Sequence, residues 1–113
     1  MIASATSISV QFGDTVALDG VSVELPAGTV VAVVGGDGAG KTTLLRAFAR
    51  KVIPNSGQVT SPDKNGLGFL PAGPGNWGAL TVRQNLDFVG GIYGLSGAEL
   101  AERREEMITR AGL

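Results

Sequence analysis

The sequence predicts an α/β fold in which a buried strand runs through a glycine-rich loop into a helix. An antiparallel β portion precedes this unit and the start of a helical portion follows it. Three observations carry the prediction. Ile8, Val10 and Phe12 alternate with Ser9 and Gln11, and Val21, Val23 and Leu25 alternate with Ser22 and Glu24; such alternation marks antiparallel strands with one wet face. Thr29 to Val34 reads TVVAVV, apolar on both faces, the pattern of a central, fully buried strand. After the glycines, Leu45, Phe48 and Val52 share one helical stripe.

The remaining elements follow in chain order. Gly13-Asp14 predicts a turn between the first strands, and Pro26-Ala27-Gly28 turns the chain into TVVAVV. The helix runs roughly over 41–51 and ends before Pro54, which disfavours helix at Ile53. Asn55-Ser56-Gly57 reads as a turn, Gln58 to Thr60 as a short edge strand, and Leu67 to Leu70 as a second buried strand. PAGPGNWGAL, Pro71 to Leu80, is a loop by composition. Thr81 is the expected N-cap of the next helix, with Gln84 completing a capping box. Val82, Leu86, Val89 and Tyr93 form its apolar stripe, and Gly90 and Gly91 weaken it by about 1 kcal/mol each relative to alanine. Ser96 caps a last helix, with Glu99 in the matching position and Leu100, Met107, Ile108 and Ala111 on its apolar face. Glu99/Arg103 and Glu106/Arg110 are favourable i,i+4 pairs on its outside. There is no internal repeat and no linker.

Composition narrows the function classes. With 113 residues, 43% hydrophobic and 17% charged, the chain suits one small globular domain. A net charge of −1 without a basic tract argues against nucleic acid as a partner. Cysteine is absent, which removes disulfides and thiolate metal sites and fits a reducing compartment. Histidine is absent too, and with it the commonest general base and zinc ligand. MIASATSISVQF lacks the basic and apolar regions of a secretory signal, and Val30 to Val34 is far too short to span a bilayer. A soluble, cytosolic chain is expected.

Gly35-Gly36-Asp37-Gly38-Ala39-Gly40-Lys41-Thr42 fits the phosphate-loop pattern G-x-x-x-x-G-K-[ST], placed as required between a predicted strand and a predicted helix. Without large side chains, successive backbone N–H groups can converge on one anion, and the following helix adds unsatisfied N–H groups and a positive dipole end. In this arrangement Lys41 reaches the β- and γ-phosphates, the Thr42 hydroxyl binds the bridging Mg²⁺, and Thr43 adds a contact near the α-phosphate. Asp37 lies inside the motif, but repulsion by phosphate should turn its carboxylate to solvent. A ligand-free glycine turn is the bland alternative. A dinucleotide fold is ruled out by Lys41, which stands where G-x-G-x-x-G needs its last glycine.

Several stretches, beyond the loop itself, resemble the nucleotide-binding subunit of ABC transporters. VQFGDTVALDGVSVELPAGTVVAVVGGDGAGKTTLLRAF resembles that family's opening, PNSGQV its Pro-x-Ser-Gly turn, and GFLPAGPGNWGALTVRQNLDFVGGIYGL the stretch leading into its helical subdomain. The resemblance covers almost the whole chain but only the first half of such a domain. It implies a partial P-loop NTPase core with an antiparallel β subdomain at the N-terminus and the start of a helical subdomain. Residues 1–71 correspond to the β subdomain and core, and 72–113 to the Q-loop region and the first helices. It also implies an ATPase that binds ATP and Mg²⁺, pairs with a second nucleotide-binding subunit, and works peripherally at the inner face of the membrane through an integral membrane permease subunit. The tail from Leu80 most resembles exporters of the multidrug or antibiotic-resistance type.

By this resemblance Phe12 takes the place of the adenine-stacking aromatic, a role open to any flat π-face; it could equally finish the core stripe of Ile8 and Val10. Gly35 through Thr43 match the phosphate loop. After GFLP, however, the family's Mg²⁺- and water-contacting Gln is replaced by Ala72, which has no oxygen to offer. LSGAE, Leu95 to Glu99, is not the family's LSGGQ signature; it falls too soon after the phosphate loop and its Ser-x-x-Glu reads as a helix cap. Trp77 stands in the loop where the family meets its membrane partner, and either anchors there or packs locally. The family's remaining Mg²⁺ acid, water-polarising carboxylate, His switch and signature loop come later than residue 113. The chain is therefore expected to be a truncated domain that binds nucleotide without efficient hydrolysis and contains no catalytic residue of its own. Two alternatives stay beside this one. A P-loop kinase or small GTPase fragment is one, although Lys64-Asn65 reverses the order of a guanine-reading Asn-Lys-x-Asp. A nucleotide-binding regulatory module that has lost hydrolysis is the other, in keeping with Ala72.

Overall fold

In the computed structural model, which describes residues 2–73 and 75–113, the chain divides into two compact units that meet between Phe69 and Leu70. The first unit opens with β1 (Ala3–Phe12) and β2 (Thr15–Leu25), an antiparallel hairpin closed at Phe12 and Thr15. The expected alternation is present, but both strands begin earlier than it suggests. Register shifts explain why. Between Ala5 and Ile8 the pairing slips, with Ser7 at a φ of 49°, so the buried phase passes from Ala3 and Ala5 to Ile8 and Val10. A β-bulge of this kind inserts a residue and resets which side chains face the core.

β3 (Ser56–Thr60) pairs antiparallel with β1, giving a three-stranded sheet in the order β2-β1-β3. The predicted edge strand is thus correct in kind and starts at Ser56, inside the predicted turn. Asn55 fastens it to β1: its N–H donates to the Ser9 carbonyl at 2.8 Å and its Oδ1 accepts the Gln11 N–H at 2.8 Å.

α1 (Lys41–Phe48) packs on the sheet. Leu44, Ala47 and Phe48 join Ala3, Ala5, Ile8, Val10 and Leu18 in the core, with Val52 and Val59 packed at its margin. Ile8 and Val10 are fully buried, worth roughly 1.5–3 kcal/mol each. Of the predicted stripe Phe48 and Val52 pack as expected, but Leu45 is 49% exposed and Leu44 is buried in its place. The helix also stops sooner than Pro54 predicts. Arg50 N–H donates to the Ala47 carbonyl and Lys51 N–H to the Arg46 carbonyl, a Schellman closure with Arg50 in the left-handed region at a φ of 62°. The Arg50 guanidinium offsets that strain by donating to the Ser61 carbonyl at 2.8 Å and its hydroxyl at 3.3 Å.

Two predicted buried strands are not formed. Thr29–Val34 carries no ladder, and Val30 and Val34 are 100% and 89% exposed. Its side chains split between two sides: Val31 and Val33 line an apolar groove with Leu44, Leu45 and Phe48, while Val30 and Val34 stand in solvent. A strand needs partners for its N–H and C=O groups, and among the described residues none pairs with this one. Leu67–Leu70 does not form a strand either; it follows a short 3₁₀ turn, Lys64–Gly66, capped by the Asp63 carboxylate.

The second unit holds α2 (Val82–Ile92) and α3 (Gly97–Ala111). The loop before α2 has turns only, with Pro74 outside the described residues. The capping box forms as predicted: Gln84 N–H donates to Thr81 Oγ1 at 3.1 Å and Thr81 N–H to Gln84 Oε1 at 2.9 Å. The helix pair is stitched differently from the predicted stripes. Val82, Val89 and Tyr93 are exposed, and so are Met107 and Ala111 on α3. The seam instead contains Gly90 against Leu100, where an added Cβ would lie 2.5 Å from Leu100 Cδ1. Ion pairs flank it: Arg104 holds both Asp87 oxygens at 2.9 and 3.1 Å, and Arg83 pairs with Glu105. Gly90 therefore permits close helix approach as well as weakening its own helix. On α3 the Glu106/Arg110 pair closes at 2.9 Å. Ser96 occupies the N-cap position but its side chain makes no capping bond. Gly97 starts the helix at a φ of 58°, a left-handed start unlike that of a capping box.

Candidate functional site

The β1–β2 hairpin and the loop ahead of α1 enclose a cleft of about 360 Å³. Phe12, Thr15, Val16 and Ala17 line it from the hairpin, and Asp37, Gly38, Ala39, Gly40, Lys41, Thr42 and Thr43 from the loop and first helical turn. Phe12 is in phase with Ile8 and Val10, yet it leaves the core and is 53% exposed. Its ring is thus a wall of the cleft, not the end of the core stripe. Asp37 is exposed and also lines the cleft.

Packing dictates the path of the loop. Gly40, the N-cap of α1, has a φ of 94°, and a Cβ there would sit 2.6 Å from the Ala17 carbonyl oxygen and 2.8 Å from Leu18 Cδ2. Only glycine supports both that conformation and that approach. Lys41 bends back over the loop, donating from Nζ to the Gly36 carbonyl at 3.1 Å and to the Gly35 carbonyl. These bonds brace the loop and hold the ammonium beside its mouth. Gly35 and Gly36 contribute through this brace and do not line the cleft.

The amides decide what the cleft can bind. Ala39 N–H donates to the Gly36 carbonyl at 3.2 Å, and Leu44 N–H to the Gly40 carbonyl at 2.9 Å. Among the described residues, the N–H groups of Gly38, Gly40, Lys41, Thr42 and Thr43 donate to no protein acceptor. Free amides at a helix start, next to an ammonium, are the donors an anion site requires. The donor set also fits Mg²⁺ in company with phosphate: Thr42 is exposed and offers a hydroxyl, and Mg²⁺ takes few protein ligands when phosphate oxygens supply others.

The family model of the ABC transporter matches residues 18–113. The chain belongs to the ABC transporter family. Its fold is accordingly a partial α/β P-loop NTPase domain, with the three-stranded antiparallel sheet ahead of the helices. Among its relatives, the sulfate/thiosulfate import ATP-binding protein CysA of Synechocystis sp. is 38% identical over 91% of this chain and 32% of its own length. The aliphatic sulfonates import ATP-binding protein SsuB 2 of Streptomyces avermitilis is 38% identical over 90% of this chain and 39% of its own. The probable multidrug ABC transporter ATP-binding protein YbhF of Escherichia coli is 30% identical over 99% of this chain and 21% of its own. This ABC transporter chain thus spans well under half the length of these relatives.

Elsewhere in the chain, Ala72 is an exposed turn residue. Trp77 packs edge-on against Phe88 at 4.5 Å between ring centroids, and Asn85 bonds both its backbone N–H and its carbonyl. Local packing therefore accounts for one side of Trp77, while half of it stays exposed. Among the described residues no helix is long and apolar enough to cross a membrane. Sequence reasoning overlooked Thr15, Val16 and Ala17 as cleft residues. The available signal was Gly13-Asp14, a turn so tight that the residues after it must run alongside Phe12.

Proposed function

We propose that this ABC transporter chain is the nucleotide-holding part of an ATP-binding subunit, with Mg-ATP seated in the cleft between hairpin and loop. The unpaired amides of Gly38 and of Gly40 to Thr43, around the Lys41 side chain, carry this reading. The loop from Gly38 to Thr43 embraces the phosphates, with Gly35 and Gly36 bracing it through Lys41; the Thr42 hydroxyl meets Mg²⁺, and Phe12 stacks on the base. Residues 1–71 act as β subdomain and core, and 72–113 as the Q-loop region and the first helices of the helical subdomain. Ala72 has no oxygen to hold the attacking water, so the chain binds nucleotide and turns it over slowly. Within a whole transporter it works at the inner membrane face, against a permease subunit and a second nucleotide-binding subunit, converting ATP binding and hydrolysis into transport. The multidrug-type name of YbhF favours export, and the import names of CysA and SsuB 2 favour uptake. The exposed half of Trp77 suits a place at the permease contact.

The test is Mg-ATP binding by calorimetry, unaltered chain against Lys41→Ala. Loss of roughly tenfold or more in affinity is expected, because hydrogen bonds between charged groups are the strong ones. Equal binding removes the site. Ala72 favours a second reading, a module that holds ATP without turning it over. In the whole subunit, Ala72→Gln is expected to raise ATP turnover if only the water-contacting amide is missing; unchanged turnover supports the second reading.

A further inference from the structure

The stretch between α1 and β3, together with β3 and Ser61, encloses a second cavity of about 360 Å³ that shares no lining residue with the cleft beside the phosphate loop. Val52, Ile53, Pro54 and Val59 give it apolar walls, and Arg50 and Ser61 give it polar groups. Arg50 is the one ionisable residue in the lining. It sits at a φ of 62°, in the left-handed region where glycine is the residue at ease. Its side chain is fixed: Nε donates to Ser61 Oγ at 3.3 Å and Nη2 to the Ser61 carbonyl at 2.8 Å. A guanidinium carries five N–H donors in a planar fork. Ser61 takes two of them, both from the edge that Nε shares with Nη2. The other edge, formed by Nη1 and Nη2, donates to nothing among the described residues, and no carboxylate among them pairs with Arg50. In the same lining Ile53 is 90% exposed. A cation held still with one edge unused, and apolar surface left in water, together complement an anion with an apolar body.

We propose that this cavity is a binding site for a small carboxylic acid with a branched aliphatic body. The proposal goes beyond the nucleotide reading and stands without it. The free edge of Arg50 presents two N–H groups side by side, the match for the two oxygens of a carboxylate. The aliphatic body lies over Ile53, Pro54 and Val59 and removes that surface from water. Charge selects a carboxylate over phosphate. One guanidinium balances a monoanion, whereas a phosphate dianion brings a second charge against apolar walls with nothing to meet it. The Ser61 hydroxyl accepts from Nε and keeps its own proton, so it can donate to the same carboxylate. Closing α1 does not itself call for arginine. Glycine adopts this φ without strain, and a strained residue whose side chain is pinned beside a cavity is the pattern of a binding group.

The experiment titrates the isotopically labelled 113-residue chain with N-acetyl-leucine and follows amide chemical shifts. For a probe of about a dozen heavy atoms, a Kd on the order of 1 mM is expected. The amides of Val52, Ile53, Val59 and Ser61 should move. N-acetyl-leucinamide, the same body without the charge, is expected to bind roughly tenfold or more weakly. Inorganic phosphate should leave these amides in place. Arg50→Gly suits the backbone at that position, so it is expected to stay folded while losing roughly tenfold or more in affinity for the acid. Arg50→Lys keeps the charge without the fork and should lose affinity severalfold. Equal binding of acid and amide, phosphate binding as tight as the acid, or undiminished binding in both Arg50 variants overturns the proposal. So does the lack of a saturable shift at these amides up to about 20 mM acid. The amide and phosphate arms use the unaltered chain, so they decide the matter even if Arg50→Gly does not fold.

Discussion

At the scale of single residues, the cleft depends on Gly40 and Lys41 for opposite reasons. Gly40 is needed for what it lacks. Its φ of 94° and the nearby Ala17 carbonyl leave no room for a methyl group, and that carbonyl belongs to a paired strand that cannot easily yield. Gly40→Ala is therefore expected to cost about 2 kcal/mol or more, from the left-handed backbone and the collision together. Thermal unfolding followed by circular dichroism would measure it, and unchanged stability would mean the loop has another path over β2. Lys41 is needed for what it reaches. With its Nζ on the Gly35 and Gly36 carbonyls, it shapes the loop from within. Phe12 shows how far a residue can be understood from its neighbours in sequence. Alternation marks it equally as core and as cleft, and only the end of the β1 core, just before it, separates the two.

At the scale of elements, the lesson concerns turns and bulges. The hairpin, the β3 edge, α1 and the capped start of α2 are all legible as periodicity or cap chemistry. Their ends are less so, because the ends are set by local closures that periodicity does not describe. α1 stops at Phe48 through the Schellman bonds around Arg50, while Pro54 stands well downstream. β3 begins at Ser56 because Gly57 can lie against the β1 bulge. Gly57 has a φ of 84°, and a Cβ there would meet the Ser7 carbonyl oxygen and come within 2.6 Å of the Thr6 carbonyl oxygen. Gly57→Ala is expected to destabilise the first unit by about 2 kcal/mol or more. Hydrogen exchange at the β1–β3 ladder is the sensitive readout, since detachment of β3 would expose amides near Thr6 and Val59 first. Protection equal to that of the unaltered chain would refute the bulge–glycine contact.

At the scale of the whole molecule, the outstanding feature is the apolar run Thr29–Val34. Its pattern is that of an interior strand, but it has no ladder and only the Val31–Val33 side leans on α1 and the end of β2. Six consecutive residues, five of them β-branched, with no charge and no proline are the signature of a self-pairing segment. Val30→Lys with Val34→Lys is expected to lower light scattering at high protein concentration without changing the far-ultraviolet spectrum, because both side chains already stand in solvent. Scattering that persists would place the self-association elsewhere. The second unit is held by the Gly90–Leu100 approach and its flanking ion pairs, with much of the apolar surface of α2 still open.

Read alone, the sequence determined which residues could hold phosphate. A loop of small residues between strand and helix, ending in Lys41 and Thr42, is local chemistry, and local chemistry is written in adjacent residues. It also determined the two-fold alternation of the hairpin and the Thr81 cap, both products of short-range backbone geometry. The tertiary structure decided what adjacency cannot express. It put Phe12, Thr15, Val16 and Ala17 opposite the loop, turned α1 so that Leu44 and not Leu45 is buried, and left Thr29–Val34 without a ladder. In each case the cause is the same: burial and strand pairing are agreements between segments far apart in the chain, so one segment's pattern states only its half.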